Sequence, residues 1–117
     1  MLSQQALSDR FEIQDLVFHY AHLIDTKQID RLRADIFTAD VHIDYSVFGG
    51  SVGGLDETIA FLKASLTSEL FPNSQHLNAN VQVQLQGDTA TGRVMCFNPM
   101  EMQLPETVSL RFLKNYH

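Results

Sequence analysis

Three residues of this sequence combine the right type with a setting for proton chemistry: Asp25, Tyr45 and His76. Asp25 directly follows Ile24 at the end of an apolar helical stripe. A carboxylate partly enclosed there needs a partner or a raised pKa, and either suits acid–base work. Asp is equally suited to ending a helix and capping the turn that follows. His76 opens a strand-like stretch after Pro72-Asn73-Ser74. Imidazole titrates near neutrality, so it can take a proton and return it, as an elimination or enolisation requires. Asp25 would orient that ring; a histidine at a strand edge without a chemical role is the plainer reading. Tyr45 shares a strand face with Val41, Ile43 and Val47. Its ring is therefore expected in the core, where its hydroxyl needs a partner.

Other candidates are weaker. Tyr20 belongs to the helix stripe and reads as wall. Asn80 and Asn98 suit a substrate oxygen or an ordinary cross-strand pair. Met95, Cys96, Phe97, Met100 and Met102 read as packing. Cys96 has no base beside it in sequence, so a thiolate nucleophile is not expected. His19, His22 and His42 lack a metal-ligand spacing, and no metal or cofactor is expected.

The elements that must position these residues follow from periodicity. Ile13, Leu16, Val17, Tyr20, Leu23 and Ile24 recur at helical spacing. Asp9 and Glu12 have the form of a helix cap, and a start near Ser3 is also open. After a break at Asp25-Thr26-Lys27, the residues Ile29, Leu32, Ile36 and Phe37 mark a second helix. Val41 to Phe48 alternates with period two, as a strand does. Gly49, Gly50, Gly53 and Gly54 form a loop or hairpin turn. Asp56-Glu57 opens a third helix through Ile59, Leu62 and Leu66, ended by Phe71-Pro72-Asn73-Ser74. Leu77, Ala79, Val81, Val83 and Leu85 then alternate against polar neighbours. Gly87-Asp88 turns the chain, Thr89 to Phe97 returns, Pro99 and Pro105 flank a connection, and Thr107 to Leu113 makes another strand. Helices followed by an antiparallel meander indicate an α+β domain. One difficulty stands in this pattern. His76 has the opposite strand parity to Leu77, Val81 and Val83. Either the polar row of Asn78, Asn80 and Gln82 lines the cavity, or a bulge near Ala79 shifts the phase.

Bulk properties narrow the partners. The length suits one domain spanning residues 1–117. Fourteen acidic against eight basic residues give a net charge of −6, which excludes a nucleic-acid-tracking surface. Lys27, Arg31 and Arg33 are the densest basic group and read as a solvated helix face. With one cysteine, no disulfide within the chain forms. The start, MLSQQALSDR, lacks the pattern of a signal peptide, and no apolar run approaches the roughly 20 residues of a membrane span. A cytoplasmic location is the default.

Three stretches together resemble the SnoaL-like and scytalone dehydratase proteins of the NTF2-like superfamily. They are Tyr20-Ala21-His22-Leu23-Ile24-Asp25 with the segment Thr26 to Arg33; Phe37-Thr38-Ala39-Asp40 running into Ile43-Asp44-Tyr45; and Ser74-Gln75-His76 with Asn80 and Gly87-Asp88-Thr89-Ala90. The resemblance implies a cone of three N-terminal helices on a strongly curved antiparallel sheet, with a pocket between them and a common dimeric state. It places Asp25 and His76 in a catalytic pocket, and Tyr45 where a tyrosine orients a carbonyl or a water. It also departs from the dehydratases. Met100, with Asn98 nearby, stands where they carry a second histidine, and Ile24 stands for their tyrosine. They usually continue to a final aromatic-containing strand; without it, a sheet edge would be open and most simply covered by a second subunit.

The expectation is a cofactor-free lyase or isomerase acting on a small, hydrophobic, oxygenated molecule. Asp25, His76 and Tyr45 would be catalytic; Tyr20, Asn80, Asn98 and Met100 would contact substrate. A homodimer is expected. The competing class is a non-catalytic ligand-binding or dimerisation module, since a scaffold does not decide function.

Overall fold

The computed structural model describes residues 1–102 fully, and for Gln103 and residues 109–116 the backbone alone. Helix α1 runs Gln4–Asp25, and its N-cap is Ser3, whose hydroxyl accepts the Ala6 N–H at 3.1 Å. Asp9 lies inside that helix and instead accepts from the Gln5 side chain. The helix begins at Gln4, so the first-turn N–H groups that need a side-chain acceptor lie within reach of Ser3 and not of Asp9.

The far end of α1 closes by a Schellman motif. The Lys27 N–H reaches the Ile24 carbonyl and the Gln28 N–H reaches the Leu23 carbonyl. Lys27 occupies the left-handed position of that motif at φ 59°, a place usually given to glycine. A side chain there costs on the order of 1 kcal/mol. Lys27 therefore stands beyond the helix and not on a solvated helical face. Helix α2 is only Arg31–Asp35, with Leu32 fully buried; Ile36 and Phe37 follow its last turn and pack at the edge of the core.

The expected strand from Val41 to Phe48 forms only in part. Strand β1, Ile43–Asp44, pairs antiparallel with β2, Val52–Gly53. The Asp44 carboxylate then accepts the Ser46 N–H at 2.8 Å, and this side-chain bond diverts the backbone into a 3-10 turn, Ser46–Phe48. Val47 is consequently 87% exposed and does not share a face with Ile43. Gly50 is required where the loop returns, because a Cβ there would sit 2.7 Å from the Phe61 ring.

Helix α3, Leu55–Ser65, starts at Gly54, with Asp56 and Glu57 favourably placed in its first turn. Leu55, Ile59 and Leu62 from this helix meet Leu23, Ile24, Ile29 and Leu32 in the main core. Each such side chain contributes roughly 1.5–3 kcal/mol on burial. Tyr20 and Tyr45 border this cluster.

The second half is an antiparallel sheet of β3 (Asn73–Ser74), β4 (Leu77–Gln86), β5 (Thr89–Gln103) and β6 (Ser109–Tyr116). One edge of β5 pairs with β4 and then β3, and the other pairs with β6. Pro99 was expected in a connection, yet it lies within β5. Its carbonyl accepts the Gln75 N–H, and its missing donor falls at the gap of Gln75 and His76 between β3 and β4. A proline is tolerated there because the partner strand is itself interrupted. Pro105 and Thr107 lie outside the described residues.

The parity question is resolved by a bulge. Ala79 pairs with Met95, but the next paired residue, Gln82, meets Arg93, so β4 carries one residue more than β5. Asn80, at φ 49°, absorbs the irregularity. Before it Ser74, His76 and Asn78 are the more buried positions; after it Val81, Val83 and Leu85 are. The strand thus turns polar residues inward at one end and apolar residues inward at the other.

Candidate functional site

Asp25, the last residue of α1, faces the junction of β3 and β4. The His76 backbone N–H donates to its Oδ2 at 2.7 Å, and His76 Nδ1 lies 2.6 Å from Oδ1. Ser74 Oγ donates to the same Oδ1 at 3.1 Å. The His76 N–H is available because residues in an antiparallel pair alternate between bonding the partner and pointing away from it. Gln75 bonds Pro99, so His76 points away from β5 and toward the helix. The side chains of His76 and Asp25 are 15% and 22% exposed.

These contacts keep Asp25 ionised. Burial acts to raise the Asp25 pKa, but the hydrogen bonds and charge of His76, with the Ser74 bond, outweigh it and hold the carboxyl below its ordinary range. An ionised Asp25 accepts only, so Nδ1 of a neutral His76 carries the proton and Nε2 is left with its lone pair. The dyad is therefore arranged as an oriented base.

A second pair lies at the core's edge. The hydroxyls of Tyr20 and Tyr45 share a short hydrogen bond. Tyr20 also packs edge-on against Phe37, and Tyr45 against Phe48 and Phe61. Burial raises both phenol pKa values, that of Tyr20 strongly and with help from Tyr45. Both rings stay protonated at neutral pH. Two hydroxyls in one bond use one proton between them, and the other proton can be donated outward.

The inner face of β5 completes the surroundings. The register on either side of His76, Ser74 to Met100 and Leu77 to Phe97, puts Asn98 directly across from the histidine. Asn98 is 4% exposed, and its Oδ1 has no partner among the described residues. Cys96 pairs with Asn78 one step further along. Its thiol is raised in pKa by burial and then by the Asp25 charge, and it also acts on Tyr20. The raised pKa of Cys96 keeps it a thiol at neutral pH.

Of the residues singled out from sequence, Asp25 and His76 are brought into contact, and Tyr45 meets Tyr20. Asn98 and Met100 lie on the inner face of β5, across from His76 and Ser74. Asn80 is not brought in: it is exposed in the bulge, with its amide near Met95 Sδ. Sequence reasoning did not single out Ser74 as a site residue; its spacing of two from His76 is the one signal for it, and the fold is what aims it at Asp25. Asn78, named from sequence in the polar row that could line the cavity, does face inward and donates to the Val17 carbonyl of α1. Two surface depressions lie away from these residues, one between α1 and the β4–β5 turn, the other beside Lys27 and Lys63.

Three helices on an antiparallel sheet, with a carboxylate–imidazole pair where helix and sheet meet, define an NTF2-like α+β domain. The chain belongs to the SnoaL-like family: the family model described as a SnoaL-like domain matches residues 5–111. An uncharacterised protein from Mycobacterium tuberculosis is 42% identical over 100 residues, covering 86% of this chain and 66% of that protein. A Mycobacterium bovis protein, also uncharacterised, matches with the same 42% identity and coverage. The chain spans about 66% of the length of these relatives. Among solved structures, the Kfla4162 protein from Kribbella flavida is similar in fold, with a TM-score of 0.78 and 26% identity, covering 94% of this chain and 76% of that one. No helix among the described residues is long and apolar enough to cross a membrane.

Proposed function

We propose that this SnoaL-like domain is a lyase or isomerase working by acid–base chemistry on a small oxygenated molecule, with Asp25–His76 as its base. The observation that carries this reading is the orientation of His76 by a half-buried, ionised carboxylate held through three hydrogen bonds. His76 Nε2 removes a proton from the carbon beside a carbonyl, and Asp25 stabilises the imidazolium that results. The proton shared out by Tyr20 and Tyr45 meets the carbonyl oxygen as negative charge develops on it. The imidazolium then returns its proton, to a leaving hydroxyl in a dehydration or to another carbon in an isomerisation. Asn98, and Met100 beside it, bound the substrate on the sheet side.

A non-catalytic binding module is the second reading, favoured by the tyrosine hydroxyls already satisfying each other. Deuterium exchange separates the two. A panel of cyclic ketones incubated with the protein in D2O should lose α-proton NMR signal faster than in buffer. Asp25→Asn and His76→Ala should remove that acceleration by a factor of about 100 or more while circular dichroism stays native. Exchange that persists in both variants would sink the mechanism, and no exchange with any ketone would leave the binding module.

A further inference from the structure

The depression that begins two residues after Asp25 has a chemistry of its own. It has a volume of about 460 Å³ and is walled by the turn after α1 and by the end of α3 with the turn that follows it. Three of the chain's eight Lys and Arg residues converge on it, namely Lys27, Arg31 and Lys63, together with the hydroxyls of Thr67 and Ser68. Asp30 is the one carboxylate in the lining.

These cations are differently committed. Lys63 meets Asp30 at 2.6 Å, and Arg31 meets Asp35 at 2.8 Å. The Lys63–Asp30 pair is largely solvated and weak, whereas Arg31, which also donates to Gln28, is held more firmly against the less exposed Asp35. Lys27 has no ion pair among the described residues and is half-buried at the rim. It also holds the left-handed position of the α1 Schellman motif, at φ 59°. Glycine fits that position without strain, and a strained non-glycine residue beside a cleft points to a use for its side chain. Complementing the helix dipole would account for one lysine, since cations favour helix C-termini. It does not account for three cations and two hydroxyls around one hollow in a chain whose net charge is −6.

We infer that this cleft binds a phosphate-type dianion, with Lys27 as its principal cation and Arg31, Lys63, Thr67 and Ser68 as further donors. The inference does not depend on the His76 chemistry. The same group could arrive as free phosphate or as the phosphoryl group of a small ester.

Amide NMR titrations of the whole chain test this, using inorganic phosphate, phenyl phosphate and, at matched ionic strength, chloride. Saturable shifts confined to residues 27–31 and 63–68 are expected with the phosphates and not with chloride. Lys27→Gln, which keeps the strained backbone, and Lys27→Gly, which relieves it, should each weaken binding at least tenfold. Lys27→Gly should also melt about 4 °C higher, showing that the loss is not a loss of fold. Tighter binding of phenyl phosphate than of phosphate would mark an ester as the ligand, and equal binding would mark the free ion. Shifts reproduced by chloride, or phosphate binding retained in Lys27→Gln, would overturn the site.

Discussion

At the scale of single residues, Asp25 both orients His76 and joins α1 to the β3–β4 junction. Losing it leaves Ser74 and the His76 N–H without their acceptor, at a cost of about 1–3 kcal/mol. Its folded-state pKa is depressed, so it stabilises the protein fully above the ordinary carboxylate pKa of about 3.9, and this is lost as pH falls through the lower folded value. The difference in urea-unfolding free energy between wild type and Asp25→Asn should therefore be constant from about pH 5 to 6 and shrink below about pH 4. A difference that grows on acidification would contradict an ionised, hydrogen-bonded Asp25. This pair was legible in sequence because a carboxylate at a helix end and a histidine at a strand start are few and chemically distinctive. Ser74 was not, because a serine in a loop has many ordinary uses and only the fold aims it at Asp25.

At the scale of elements, the bulge at Asn80 decides which face of β4 carries His76. Sequence pattern reduced the question to two arrangements, and alternation alone cannot choose between them, since one extra residue inverts every side chain beyond it. Deleting Asn80 should restore an even ladder and turn Ser74, His76 and Asn78 outward, or else slide the strand. Either way the His76–Asp25 bond is lost, which a crystal structure of the deletion variant would show. A deletion variant that keeps that bond would mean the bulge does not set the phase. Asn80→Gly, by contrast, keeps the left-handed backbone and should stay within about 0.5 kcal/mol of wild type in urea unfolding. Helix α1 was the most legible element, because its apolar stripe is long. The strand around Asp44 was misread because a short side-chain bond to the Ser46 N–H competes with the ladder, and periodicity carries no trace of that competition.

At the scale of the molecule, the α+β layout follows from helices preceding a meander, and the sheet's outer face supplies what the pattern did not forecast. Leu77 and Phe97, directly paired across β4 and β5, are 53% and 37% exposed. An apolar cross-strand pair left in water favours association. From sequence a homodimer was expected to cover a sheet edge; a dimer through this face instead would appear in sedimentation at micromolar concentration and be weakened by Leu77→Lys. A monomer throughout that range would reject the dimer.

The inserted residue in β4 also separates two tasks that a uniform strand would mix. Beyond Asn80 the inner face is aliphatic and serves cohesion; before it, positions 74, 76 and 78 face 100, 98 and 96 as a small grid in which all but Met100 are polar or titratable. Because the bulge absorbs the phase, that grid can be rewritten without touching the aliphatic half. A different set of six side chains there would give the same scaffold a different chemistry.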